Sequence, residues 1–447
     1  MKYIRSTVII ILTSVVIIGL TLHWVKYFQT TANDETAGEK LVIFGPSSWD
    51  ILIPGADSET LTAAIKKINK GFREIHPETG RIIYDSRGPI SDGVARLRNA
   101  IIAEDQVDVV LCAANPVNTA YAKLGLISPL DDLINPIKDR FHSHAISNFE
   151  IKEQIWGAPM SAVTMTTFFY NRDLFDSLEL APPQSYSDFQ DMAIRLSTAG
   201  YIPIVHQGKN SWMWTPYYFS ALIQILGPNI STYLKGILQG ETKFTNSENL
   251  AALQIMRQWV DDGIIDERSN ELDEEGMKGA FLSGRAAVFF GVTWDKAGIE
   301  DKANFNWGMF PYPKIDNTKF PPKAFGGVES GFCLASNTKN PKLAKAYIKY
   351  VTRPENVRLL TAPLKPFATS HRKVKGVNSP ENKYLRSQLP VEKPLEWLFP
   401  PELNEIIQRE LQSMMAGSQS PAAAGKSMQT RFESLQKAAS IRGNSKQ

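Results

Sequence analysis

Residues 168–189 read FFYNRDLFDSLELAPPQSYSDF, and the order of residue types is that of a strand, a turn and a helix start. Paired aromatics end in Tyr170-Asn171. A short amphipathic turn follows, with Leu174, Phe175, Leu178 and Leu180 as its apolar side. Pro182 and Pro183 stop it, because proline lacks the N–H a helix needs and restricts the residue before it. Ser187 and Asp188 are placed to begin the next helix. The run is flanked by Ile155-Trp156-Gly157-Ala158-Pro159 on one side and Thr198-Ala199-Gly200-Tyr201-Ile202-Pro203 on the other.

Working outward, the same alternation recurs along the chain. Short apolar runs at 41–44, 81–84 and 107–112 read as strands, and 61–72 and 94–103 have helical spacing. After Pro159 the pattern restarts, with strands at 163–170 and 286–290 and helices at 188–198, 214–226, 250–260 and 277–282. Strands alternating with helices predict an α/β fold, with a mainly parallel sheet covered on both faces.

Composition narrows the classes of function. The 447 residues suffice for two or three average domains, and 43% hydrophobic with 21% charged residues is ordinary for a globular chain. A net charge of +3 with no basic block argues against nucleic acid. Cys112 and Cys333 belong to no CxxC or Cys/His cluster, so no zinc site is expected. Both sit in apolar runs and read either as two buried thiols or as one disulfide, which an oxidising compartment would allow. No HExxH, GxSxG or GxGxxG is present, the acidic pairs Asp131-Asp132, Asp261-Asp262 and Glu274-Glu275 read as solvated helix ends, and His142 and His144 read as loop residues. Ala424-Gly425-Lys426-Ser427 lacks both the first glycine and the preceding strand of a phosphate loop. Neither an enzyme nor a cofactor is expected.

The amino-terminal segment sets the compartment. Lys2 and Arg5 precede nineteen residues, 7–25, without a formal charge, about the length needed to cross a bilayer core of roughly 30 Å. The stretch ends in bulky residues, with Trp24 and Tyr27 suited to a membrane interface. Residues 1–28 are read as an uncleaved membrane anchor with its amino terminus inside, the alternative being a signal segment cut near Thr31-Ala32; residues 29–40 are then a polar tether.

Taken in order, the Trp-Gly-x-Pro turn, the strand with Tyr-Asn-x-x-Leu-Phe, the Pro-x-Ser-Tyr-x-Asp-Phe helix start and the Gly-x-x-Pro segment resemble the extracellular solute-binding proteins of ABC transporters. The similarity is to the carbohydrate-binding group (family 1) that includes maltose-binding protein. FLSGRAAVFFGVTW (281–294), NFNWGMFPYP (304–313) and NPKLAKAYIKYV (340–351) extend it over residues 41–439. The resemblance implies a periplasmic-binding-protein-like fold of two α/β lobes around a ligand cleft, with three crossings, near 159–163, 311–325 and 352–360. Lobe I would be 41–160 and 318–352, and lobe II 161–312 and 353–447. It also implies a location on the outer side of the cytoplasmic membrane, a small polar solute, most simply a sugar, hinge closure, and an ABC permease as partner. The anchor departs from the family pattern and keeps open a second partner, a membrane sensor to which the solute is presented.

A neutral sugar offers apolar C–H faces and a rim of hydroxyls, so its receptor needs flat aromatic surfaces with amides and carboxylates beside them. Candidates lie after strands. Trp49 and Asp50 follow the first, Asp85 the second, and Asn115 the strand at 107–112. Trp212 and Trp214 lie in GKNSWMWTPYYF, where maltose-binding protein carries an acidic-x-aromatic contact and this chain has Asn210-x-Trp212. Trp294 and Asp295 end FLSGRAAVFFGVTWD at a position where family members carry a stacking tryptophan. Glu329 begins a Gly-rich strand, and Trp397, in PLEWLFPP, approximates another family aromatic.

Overall fold

The computed structural model describes residues 38–45, 58–85, 93–114 and 116–444. The expected anchor and tether lie outside these, apart from 38–40. Among the described residues no helix is long and apolar enough to cross a membrane.

The chain first lays down β1 (Glu39–Phe44), β2 (Thr79–Asp85), β3 (Val109–Ala113), β4 (Ile127–Ser128) and β5 (Ala158–Pro159). It then builds a second sheet from β6 (Val163–Asn171), β7 (Ile202–Val205), β8 (Ala286–Val292), β9 (Trp307–Phe310) and β10 (Gly326–Val328). It returns to the first with β11 (Ser330–Ala335). The strand order is β2-β1-β3-β11-β4 in the first sheet, with β5 also on β11, and β9-β6-β8-β7 in the second, with β10 also on β6. Both sheets are mixed, which corrects the expectation of a mainly parallel one. β1 runs parallel to β2 and β3, and β8 to β7, but every pair made by β6 or β11 is antiparallel. The physical reason is the crossing itself: a strand arriving from the other sheet enters from the opposite end.

The opening motif folds as read, with one shift. Adjacent residues of β6 point to opposite faces. Phe168 packs with Phe290 (4.8 Å between ring centres), Phe310 (5.2 Å) and Trp259 (6.1 Å), while Phe169 stacks on Phe289 at 4.7 Å on the other side. Asn171 caps the helix Arg172–Ser177 by accepting the Leu174 N–H at 3.0 Å. The next helix, Tyr186–Thr198, starts two residues before the expected position, because Ser185 and Asp188 form a reciprocal capping box.

Three apolar cores result. One lies on the first sheet around Leu41, Ile43, Val109, Leu111 and Phe332, and another on the second around Phe168, Trp214, Tyr217, Trp259 and Phe290. The third runs across both, from Phe44, Val110 and Cys112 to Phe169 and Phe289, through Val163 and Val328 at the crossing. There β10 lies antiparallel on the start of β6, Gly327 opposite Thr164. A Cβ on Gly326 would stand 2.1 Å from the Thr164 carbonyl oxygen, and Gly327 has φ +140°, so both need glycine. The chain changes sheet at Glu329, beyond the expected 311–325. The last crossing also comes later than 352–360. The helix Pro354–Thr361 follows directly on Pro341–Val351, and Val357, Leu360, Leu364 and Val374 belong to the first-sheet core. Only from Leu395 does the chain join the core of the second sheet.

Cys112 on β3 and Cys333 on β11 are bonded, with Cα atoms 6.4 Å apart, which selects the disulfide of the two readings. Phe168→Ala should cost about 3–5 kcal/mol in urea unfolding, the range for truncating a fully buried aromatic; a loss under 1 kcal/mol would show that this contact is not central to the second core.

Candidate functional site

Two antiparallel neighbours place the central tryptophan. β8 runs on past Val292, where the Thr293 N–H donates to the Met165 carbonyl (2.9 Å) and the Met165 N–H to the Thr293 hydroxyl (3.0 Å). Trp294 is thereby held beside Thr164, at the wall of a narrow cavity shared with Ala162, Lys296 and Phe367. Trp212, in the short 3-10 turn Ser211–Trp214, faces it with ring centres 6.2 Å apart and planes inclined by 52°. Trp212 is 40% exposed, so one indole of the pair is open to solvent.

Two carboxylates reach threonines next to this pair. Glu329, the single residue between β10 and β11, accepts a hydrogen bond from the Thr164 hydroxyl at 2.6 Å, while its carbonyl receives the Ala114 N–H at 2.7 Å. Glu396, in the turn Leu395–Leu398, lies 3.4 Å from the Thr215 hydroxyl, whose proton is directed to the Trp212 carbonyl at 2.7 Å. Burial pushes the Glu329 carboxyl up to about 7, and burial together with the charge of Glu329 brings Glu396 to about 7. As whole residues both are only half-buried, so the effect comes from where the carboxyl ends lie. Trp212, Thr215, Glu396, Glu329, Thr164 and Trp294 thus form one connected group. Glu329 comes from the crossing, Thr164 from β6, Trp294 from the end of β8, Trp212 and Thr215 from the turn and the helix start at 211–215, and Glu396 from the turn 395–398.

The remaining expected residues fall into three groups. Trp49, Asp50 and Asn115 lie outside the described residues. Asp85 ends β2, half-buried, and Trp397 is half-buried beside Glu396, with the Lys393 ammonium 5.6 Å over its ring. Trp214 and Asp295 are placed away from any surface a solute could reach. Trp214 is fully enclosed, its indole N–H donating to the Gly208 carbonyl at 3.2 Å and its ring against His206 and Tyr217. With two aromatics two positions apart, one fills the core and Trp212 takes the surface. Asp295 is buried and held by Lys278 at 2.6 Å, and it also accepts the Val292 N–H at 3.2 Å. Burial nonetheless raises its carboxyl to about 6. Nothing in the sequence pairs Lys278 with Asp295, seventeen positions apart. Glu396 and the two threonines were not singled out; the signal for Glu396 was its place next to Trp397 in PLEWLFPP.

A broader depression, about 690 Å³ between Ser197, Tyr201, Val260 and Arg268, opens at the amino-terminal end of β7. Ligands of open α/β sheets sit at carboxyl ends, and no stacking pair lines it. Among the described residues no group of three or more His, Cys, Asp or Glu could hold a metal ion.

With this geometry in place, the comparisons are decisive at the level of family. The model for bacterial extracellular solute-binding proteins matches residues 56–358, and the chain belongs to that family. It is thus a binding protein rather than an enzyme, working outside the cytoplasm. An uncharacterised ABC transporter extracellular-binding protein of Pyrococcus horikoshii is 20% identical over 236 residues, so the match spans about half (51%) of each chain. Among solved structures, a chitin oligosaccharide binding protein superposes with a TM-score of 0.75 at 21% identity, covering 89% of this chain and 99% of the other. The maltose-maltodextrin binding protein of Alicyclobacillus acidocaldarius gives 0.64 at 17%, covering 87% and 98%. These likenesses establish the periplasmic-binding-protein-like fold.

Two outcomes follow from the electrostatics. Lys278→Ala should destabilise the protein by about 3 kcal/mol or more, because it strands a buried Asp295; denaturant unfolding measures it, and a loss below 1 kcal/mol would contradict the pairing. The second concerns pH. Glu329 and Glu396 have folded pKa values above the ordinary 4.5, so they hold their protons more tightly folded than unfolded. Their favourable contribution is complete below about 4.5 and is lost as pH climbs through about 7. The melting-temperature advantage of Glu396→Gln over the parent should therefore grow between pH 5 and pH 8; a gap that stays flat or shrinks would refute the raised pKa.

Proposed function

We propose that the protein is an extracytoplasmic receptor for a mono- or oligosaccharide, which it encloses by hinge closure and delivers to an ABC permease. The observation that carries this reading is the Trp212–Trp294 pair. Two inclined aromatic planes, one exposed, with the Thr215 hydroxyl beside one and Thr164 beside the other, match what a sugar ring presents: apolar faces to stack on and hydroxyls to bond. The chitin-oligosaccharide and maltodextrin binders among the similar structures support the same ligand class.

In this reading one lobe is built on the first sheet, from 41–160 and the returning 330–374, and the other on the second, from 163–328 and 395–444. The crossings at 160–163, Glu329 and 375–394 form the hinge. Segment 7–25 anchors the receptor to the outer face of the membrane, and the polar residues after it are the tether.

The test is isothermal titration of a panel of sugars, amino acids and polyamines, followed by Trp294→Ala. A sugar that binds should lose about tenfold or more in affinity on losing the indole, since fully burying a large apolar side chain is worth about 1.5–3 kcal/mol and aromatic stacking adds about 0.5–1.5 kcal/mol. Binding of amino acids or polyamines but of no sugar would overturn the ligand class.

A further inference from the structure

We propose that the protein carries a second binding site, for a tetrahedral oxyanion of the phosphate class, held by Arg140, His142, Ser370 and Arg372. It does not depend on the sugar-receptor reading. The site is built on three extended segments that run side by side at the first crossing. The Arg372 N–H donates to the Arg140 carbonyl at 2.7 Å and the His142 N–H to the Ser370 carbonyl at 3.1 Å. On the other edge the Ser370 N–H donates to the Ser161 carbonyl and the Val163 N–H to the Ala368 carbonyl, both at 2.9 Å. This ladder sets Phe141 opposite His371, and with them Arg140 opposite Arg372 and His142 opposite Ser370. Alternation puts the last two pairs on one face and Phe141 with His371, ring centres 5.9 Å apart, on the other.

The charges on that face are unbalanced. Directly opposed residues have Cβ atoms about 4.5–5.5 Å apart, and like charges so placed repel. Among the described residues no carboxylate forms an ion pair with Arg140 or Arg372. Of the acids nearby, Glu150 faces Lys138 at 3.6 Å and Glu355 acts on His371. One Nη of Arg140 is buried without a hydrogen-bond partner, and so is the hydroxyl of Ser370, a residue with no exposed surface. Arg372 donates from Nε to the Phe141 carbonyl at 2.6 Å, which holds its guanidinium against the ladder with both Nη groups left over. The His142 ring stacks on His144 with centres 5.4 Å apart. Burial comes first in holding both imidazoles below their ordinary value, and the Arg372 charge adds to it. The unused groups are donors and cations, so they suit an anion. A tetrahedral oxyanion offers each guanidinium an edge of two oxygens and still has acceptors for a hydroxyl and an imidazole. Arg372 and His144 are exposed, which leaves a way in from solvent. Free phosphate and the phosphomonoester headgroup of a lipid share this chemistry.

The experiment titrates the full chain, in neutral detergent, with inorganic phosphate and with dihexanoyl phosphatidic acid, dihexanoyl phosphatidylcholine being the blank. One of the first two should bind, and Arg372→Gln should weaken it about tenfold or more, the scale of a hydrogen bond to a charged group. Lys373→Gln removes the same charge one position beyond the ladder and should leave the affinity within about twofold. A circular-dichroism melt confirms that both exposed positions tolerate the change. Proton NMR should show the His142 and His144 titration midpoints rising when the phosphate or phosphatidic acid that binds is at saturation. Binding of phosphate assigns a soluble ligand, and binding of phosphatidic acid alone assigns a lipid headgroup; either bears the proposal out. No binding of the two, equal losses in Arg372→Gln and Lys373→Gln, or unmoved histidine midpoints would overturn it. Sugar binding is measured separately, so either reading can fail alone.

Discussion

Strand β6 is the element on which the rest depends. Three strands, β8, β9 and β10, bond to it antiparallel, and its two faces feed different cores through Phe168 and Phe169. Its first residues pair with β10 at the crossing, and its last, Asn171, caps a helix. A strand buried on both faces and bonded on both edges has no freedom of register, because a shift of one residue would exchange every side chain between cores. That fixity reaches the site directly: Thr164 and Met165 at the start of β6 are the partners of Glu329 and of the Thr293 that precedes Trp294.

The position of the carboxylates follows from the same strand. Glu329 occupies the one residue between a strand of the second sheet and a strand of the first, so its carboxyl sits where the two bodies meet. Glu396 arrives from the last crossing segment, whose Glu392 backbone bonds to Ala324 and Gly326 beside β10. Two passages of chain thus run side by side where the sheets meet, at Ala324–Gly326 and at Glu392.

Much of this was legible from local pattern. The strand-turn-helix unit at 168–189 is set by spacing, proline and capping residues, all properties of near neighbours, and it folds as read apart from a two-residue shift at Ser185. Trp294 was legible because it ends a long apolar strand. What escaped was long-range. The antiparallel pairs of β6 and β11 join residues more than a hundred positions apart, and the third crossing depends on the helix Pro354–Thr361 packing on Ser58–Ile75. The Lys278–Asp295 pair and the choice between Trp212 and Trp214 depend on which side chain is enclosed, which composition does not encode. Glu396 escaped because a single acid in a proline-rich turn looks like any solvated residue.

The strand order of the first sheet has a consequence for the order of assembly. β11 lies between β3 and β4, yet 201 residues, 129–329, separate it from the end of β4. During synthesis, β3 must therefore wait with one edge open until the ribosome has made residue 335, while the second sheet, drawn from the uninterrupted stretch 163–328, has all its strands first. An open edge of apolar residues such as Val109–Ala113 is a template for wrong pairing. A chain destined for export has reason to stay unfolded over that interval, and this topology, by withholding its central strand, keeps the amino-terminal part from closing early.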